Sequence, residues 1–174
     1  TDRGKILVLV PSHHEGAGLV DTVLTLIDQD YEGQIEIQVL VEDFTDATVS
    51  ALVDAYSYAE PPSDTVLLLS AGVERRVVKV VAVGERAKHA KLNHALQNAD
   101  AAYIALLDAD HRANLDWLSN GITVLIHDDA DGVQLRKRAL STRSLPQVWD
   151  SGLSHLTFEL FNRALQRSFG RVSF

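Results

Sequence analysis

Apolar residues along the chain change period several times, and each change marks an element. Residues 5–10 form a compact apolar run ending at Pro11, the pattern of a buried strand. Leu19, Val20, Val23, Leu24 and Ile27 then recur at helical spacing, which predicts a helix over residues 18–29. Residues 34–41 read as a second strand, residues 45–58 as a helix, and Glu60-Pro61-Pro62-Ser63-Asp64 as a break. Strands are predicted at 65–69, 77–83, 103–107 and 132–137, and helices at 88–98 and 115–127, with a long helix over 148–169. Strands separated by helices imply right-handed crossovers. The expected fold class is therefore α/β, a mainly parallel sheet flanked by helices on both faces, with a C-terminal helix.

Composition narrows the function more than the fold. Hydrophobic residues make up 46% of the 174 and charged residues 23%, enough for one well-packed core. A net charge of −8 argues against nucleic acid as a partner, because that binding depends on a basic surface. It leaves phosphorylated ligands open, since an acidic site can hold phosphate through a bridging divalent cation. Without cysteine there are no disulfides, thiolate metal sites or thiol nucleophiles. No apolar run approaches the length of a membrane span, and the first residues lack a signal-peptide pattern. The absence of methionine, even at position 1, reads as an excised or processed segment.

In open α/β sheets, ligands gather beyond the carboxyl ends of the strands. Three polar clusters follow such ends here: Pro11-Ser12-His13-His14-Glu15, Glu42-Asp43-Phe44-Thr45-Asp46-Ala47-Thr48 and Asp108-Ala109-Asp110. Carboxylates crowded on one rim repel one another unless a cation or hydrogen-bonding ligand sits among them, which favours a divalent metal. Asp-x-Asp is a weak signal alone, and it also occurs at Asp28/Asp30 and Asp129/Asp131, where the neighbours read as turns. Only Asp108/Asp110 directly follows an apolar strand. There, residues two apart point the same way, so both carboxylates can reach one ion.

These segments, taken together, resemble the family-2 glycosyltransferases. Val10-Pro11-Ser12-His13-His14-Glu15 is similar to their opening strand and Pro-Thr-Tyr-Asn-Glu. Val41-Glu42-Asp43-Phe44-Thr45-Asp46-Ala47-Thr48 resembles Val-Asp-Asp-Gly-Ser-Thr-Asp-x-Thr, one residue shorter. Lys88-His89-Ala90-Lys91-Leu92-Asn93-His94-Ala95-Leu96 is similar to Lys-Ala-x-Ala-Leu-Asn-x-Ala-Leu, and residues 103–110 match the strand leading into the family's Asp-x-Asp. The signatures keep the family's order and cover residues 5–138. The remainder looks like the membrane-linked polysaccharide synthases of that family.

The resemblance implies a GT-A fold, Mg²⁺ or Mn²⁺ as cofactor, and transfer of a sugar from a nucleotide sugar to an acceptor hydroxyl with inversion. The donor is expected to be a UDP-sugar and the acceptor a glycan or lipid-linked glycan. By the family pattern Asp110 coordinates the metal, and Asp108 contacts the ribose or the metal's water shell. Asp43 accepts a hydrogen bond from the base, Pro11 and Glu15 line the nucleoside pocket, and Lys88 approaches the diphosphate. Residues 1–140 are then the nucleotide-sugar-binding core, and 141–174 the truncated start of an acceptor-side region. The catalytic base is expected beyond Phe174. A further segment there would bring membrane association, with the whole protein at the cytoplasmic face.

Plainer roles stand beside these. Asp43 could cap the helix that follows it, Lys88 could be a solvated helix residue, and His13 and His14 read as ordinary loop residues. His89 and His94 are spaced too far round a helix to form a zinc pair, and His111 is not expected to be catalytic. Arg163, Arg167 and Arg171 form a cationic stripe, solvated or facing anionic lipid. Gly16-Ala17-Gly18 leaves a dinucleotide-binding Rossmann-type domain as an alternative, although Pro11 to Glu15 separate the glycines from their strand and the third glycine is missing. A non-catalytic nucleotide-binding module is the other.

Overall fold

The computed structural model describes residues 4–135. The chain divides after Ile122 into two compact units. In the first, the pattern anticipated above is present in order: β1 Ile6–Pro11, α1 Gly18–Ile27, β2 Ile35–Val41, α2 Ala47–Ala55, β3 Val66–Leu69, β4 Arg76–Ala82, α3 Lys88–Gln97, β5 Tyr103–Leu106 and the start of α4, Trp117–His127.

One five-stranded sheet runs β3-β4-β2-β1-β5. The pairs β1–β2, β1–β5 and β2–β4 are parallel, while β3 runs antiparallel to β4 at one edge. Register is fixed by burial on both faces. Ile6, Val8, Val10, Ile35, Ile37 and Val39 are wholly buried on one face, where α1 meets β2 and α2. Leu7, Leu9 and Leu40 point the other way and pack with Ala95, Leu92, Ala99 and Ala101 along and just after α3. The chain moves from β1 to β2 on one side and later returns to β5 on the other. The switch point of the sheet therefore lies between the carboxyl ends of β1 and β5, the crevice where α/β sheets hold ligands.

Two charged groups secure the opposite end of the sheet. The half-buried Arg76 guanidinium donates to the carbonyls of Ile27, Gln29, Tyr31 and Gly33 at 3.1, 2.9, 2.7 and 3.0 Å, closing the connection from α1 into β2. Glu36, 5% exposed, takes Lys5 and Lys79 at 2.9 Å each and Gln38 at 2.7 Å. Burial raises its acidity threshold, but those three partners outweigh burial and bring its pKa down to about 2.

Helix boundaries depart from the sequence expectation where polar side chains intervene. The second helix begins at Ala47 rather than at residue 45, because Asp46 occupies its N-cap and accepts from the Thr48 amide at 2.8 Å. Residues 132–135, expected to open a strand, form none; no neighbouring strand pairs with them among the described residues, and an unpaired strand leaves its peptide groups without partners. Residues 136–137, the helix expected over 148–169 and the stripe of Arg163, Arg167 and Arg171 lie outside the described residues. In the second unit Asp129 adopts a positive φ of 48°, in keeping with a turn role for Asp129/Asp131.

Candidate functional site

The three polar clusters meet at the β1 end of the sheet. Pro11 pairs with Leu40, Leu9 with Leu106, and the Leu107 amide donates to the Leu9 carbonyl at 3.1 Å. Pro11 thus stands between the loop carrying Asp43 and the loop carrying Asp108 and Asp110. Neighbouring strands are about 4.8 Å apart, so the two acidic loops start on the order of 10 Å from each other.

The loop after β1 is tied to the start of α2. Asp46, 4% exposed, accepts the His14 amide at 3.0 Å through one carboxylate oxygen and the Thr48 amide through the other. Burial opposes its ionisation, yet these backbone donors prevail and hold its pKa below the ordinary value. The buried Thr48 hydroxyl lies 3.3 Å from the Ser12 hydroxyl and accepts from the amides of Glu15 and Gly16 at 3.1 and 3.3 Å. The Glu15 side chain is exposed at the rim. Beneath the same loop Lys91, 1% exposed, donates to the Ser12 carbonyl at 2.6 Å. Burial lowers its pKa, and Asp46 and Glu42 partly offset that.

Asp43 does not cap α2. Its carboxylate turns back on its own loop, accepting the Thr45 amide at 2.7 Å and the Thr45 hydroxyl, and the hydroxyl bond is the main reason its pKa is lowered. The residue is exposed and ionised, an acceptor pointing into solvent at the rim.

Asp108 and Asp110 sit just past β5, in a turn closed by the His111 amide on the Asp108 carbonyl at 3.0 Å. The strand stops at Leu106, so the extended-strand argument for convergent carboxylates does not apply. The turn sets both beside one ring instead. His111 Nδ1 lies 3.5 Å from Asp108 and Nε2 3.9 Å from Asp110, so one imidazole faces both carboxylates. Lys88, the first residue of α3, is ion-paired to Asp108.

A lock that the hydrophobic pattern hid holds this turn in place. Thr22, wholly buried on the apolar face of α1, donates to the Ala109 carbonyl at 2.7 Å and accepts from Arg112. Arg112 also reaches the Gly18 carbonyl at 2.9 Å and Asp21 at 3.2 Å. Further along the same face the Thr25 hydroxyl takes the Ala113 amide at 3.1 Å, and Gln29 bonds the Asn114 carbonyl and the Leu118 amide at 2.7 and 3.0 Å. Thr22, Thr25 and Gln29 recur at three- and four-residue spacing within the apolar stripe. That polar interruption was the available signal for a helix zipped to a loop.

One or two carboxylates with phosphate oxygens and water are the donor set Mg²⁺ or Mn²⁺ prefers, and Asp108 and Asp110 are the carboxylates this turn offers. The mainly parallel sheet with helices on both faces is of the GT-A type. The description "Glycosyl transferase family 2" matches residues 7–172, and the chain belongs to that family. No curated protein matches it at the sequence level. Among solved structures it is similar to the mannosyltransferase PcManGT from Pyrobaculum calidifontis in complex with GDP-Man and Mn²⁺, at 24% identity and a TM-score of 0.56 over 72% of this chain and 33% of that one. It is also similar to S. aureus TarS 1-349, at 19% identity and a TM-score of 0.60 over 82% of this chain and 38% of that one. The same TarS segment in complex with UDP-GlcNAc matches at 18% identity and a TM-score of 0.52, over 79% of this chain and 38% of that one. The chain thus spans little more than a third of the length of these proteins.

Proposed function

We propose that the chain is the donor-binding half of an inverting, metal-dependent glycosyltransferase that takes a UDP-sugar and delivers the sugar to a glycan or lipid-linked acceptor. The observation that carries this reading is the placement of Asp108 and Asp110 at the switch point, beside Pro11 and within reach of Lys88. Asp110 would hold Mg²⁺ or Mn²⁺, and Asp108 would meet the ribose or the ion's water shell. Asp43, exposed and ionised, can accept the N3–H of uracil. Pro11 and Glu15 border the space between, and the Lys88 ammonium stands where a diphosphate would arrive. The cation supplies charge stabilisation for the departing diphosphate. What the described residues contribute is binding and orientation: the Thr22–Arg112 lock fixes the acidic turn, and the Asp46–Thr48 ties fix the nucleoside side. The general base belongs to the acceptor side, beyond these residues. The GDP-Man and UDP-GlcNAc complexes of the structural neighbours support a nucleotide sugar as partner.

Calorimetric titration of UDP, and of GDP in parallel, with and without Mn²⁺ tests this. UDP is expected to bind only with Mn²⁺, more tightly than GDP, and Asp110→Ala to remove binding. Metal-independent binding, or unchanged affinity in Asp110→Ala, would overturn it; NAD⁺ binding indifferent to Mn²⁺ would restore the dinucleotide alternative.

A further inference from the structure

The sequence gives His13 and His14 no role beyond a loop, but the fold brings them against a third ligand. One donor atom each from His13, His14 and Asp46 lies within 4.8 Å of the others, the group of three that does so among the described residues. The His14 Nδ1 to Asp46 carboxylate separation is 3.6 Å, and the two imidazole centroids are 4.3 Å apart with planes tilted by 46°. Ligands bound tetrahedrally at about 2.1 Å stand roughly 3.4 Å from one another, so the His14–Asp46 pair at 3.6 Å is already near that spacing and His13 lies within 4.8 Å of both.

Three independent features mark the cluster as more than loop packing. His13 Nδ1 is shut off from solvent and has no hydrogen-bond partner among the described residues, an uncommon state for a ring nitrogen. His14 holds a left-handed φ of 57°, a costly conformation for a residue with a side chain, and that turn is what carries its ring back over Asp46. Asp46 is already oriented by backbone amides on each oxygen, the arrangement that presets a carboxylate ligand.

We propose that His13, His14 and Asp46 form a second cation site, specific for a transition metal such as Zn²⁺ and separate from the oxygen-only pair at Asp108/Asp110. Two imidazoles with one carboxylate suit Zn²⁺, Co²⁺ or Ni²⁺ and disfavour Mg²⁺, and the exposed side of His14 leaves a coordination position for water. An ion there clips the loop after β1 to the N-terminus of α2, and so braces the nucleoside side of the rim without nucleotide being bound.

The test uses metal-stripped protein titrated with Co²⁺, read by its visible d–d absorption, and then with competing Zn²⁺, all without nucleotide. Tight binding of one equivalent and a rise in the thermal midpoint are expected. His14→Ala, at an exposed position, and His13→Ala should each weaken Zn²⁺ by more than the 10- to 100-fold typical of losing an outer-shell partner. Asp110→Asn should leave the Co²⁺ spectrum and the Zn²⁺ affinity unchanged. Absence of a Co²⁺ spectrum, parental affinity in both histidine variants, or loss of binding in Asp110→Asn or His111→Ala would overturn the proposal. Because Asp110 governs only the Mn²⁺-dependent UDP titration, the two readings can fail separately.

Discussion

Replacing Thr22 by Val tests whether the acidic turn is set by its lock on α1. The two side chains have nearly the same shape, so the substitution removes the hydroxyl and little else. Thr22 is wholly buried; its loss strips the donor from the Ala109 carbonyl, itself on a residue 5% exposed, and one acceptor from Arg112. A buried polar group left without its partner costs about 1–3 kcal/mol, and Arg112 retains its bonds to Gly18 and Asp21. The expected destabilisation is therefore about 2 kcal/mol. With a urea slope of about 2 kcal/mol per molar, the unfolding midpoint should fall by roughly 1 M. The functional consequence is separable. A turn released at Ala109 presents Asp108 and Asp110 less accurately, so Mn²⁺-dependent UDP affinity should drop about tenfold, the equivalent of 1.4 kcal/mol. Thr22→Ser keeps the hydroxyl and loses a methyl group; it should lose some stability and keep the affinity. If Thr22→Val unfolds within about 0.2 M of the parent and binds UDP equally well, the turn is held by something else.

Two further outcomes follow from the far end of the sheet. Glu36 has a folded pKa of about 2 against 4.5 for the free group, so its ionised form stabilises the fold above pH 4.5, and that contribution is lost as pH falls from 4.5 towards 2. It amounts to roughly 3 kcal/mol at most. Urea midpoints followed over that range should fall less steeply in Glu36→Gln, and parallel curves would refute the assignment. Arg76→Leu leaves four carbonyls without their donor and should cost at least about 3 kcal/mol, a drop on the order of 10 °C in thermal midpoint. A shift under a few degrees would mean that the α1–β2 connection does not depend on it.

The architecture was legible because periodicity reports burial directly. Every strand and helix expected before residue 127 forms, with boundaries off by two or three residues where capping decided them. Asp46 rather than Asp43 caps α2, since the cap is the residue just before the first helical turn, and that turn begins at Ala47. The rim residues were legible through family signatures, but the reason they stay in place was not. Thr22 reads as an interruption of an apolar face until Ala109, distant in sequence, arrives beside it. Lys91 stands where the family signature carries Ala and looks like a solvated helix position, yet it is buried under Ser12. His13 and His14 looked ordinary because their shared partner comes from another element. Hydrogen bonds between segments far apart in sequence leave at most a polar gap in an apolar stripe, and the gap does not say which segment fills it.

How each carboxylate at the rim is satisfied separates their roles more sharply than the motif does. Asp43 is occupied by Thr45, and Asp46 takes a backbone amide on each oxygen, so both stay ionised without the rim's cation, while Asp46 keeps acceptor capacity towards His14. Asp108 carries the Lys88 ammonium and has the His111 ring 3.5 Å away. Asp110 is different: its side chain is 77% exposed, and the His111 ring lies at the long distance of 3.9 Å. A hard divalent cation must displace water from its ligand but should not also have to break an ion pair. On the proposed reading, direct coordination would therefore fall more cheaply on Asp110, whereas Asp108, held by a lysine, would be better suited to a hydrogen bond with ribose or a bound water. On the same reading Lys88, ion-paired to Asp108 and 61% exposed, would stand between two anions once a diphosphate arrived.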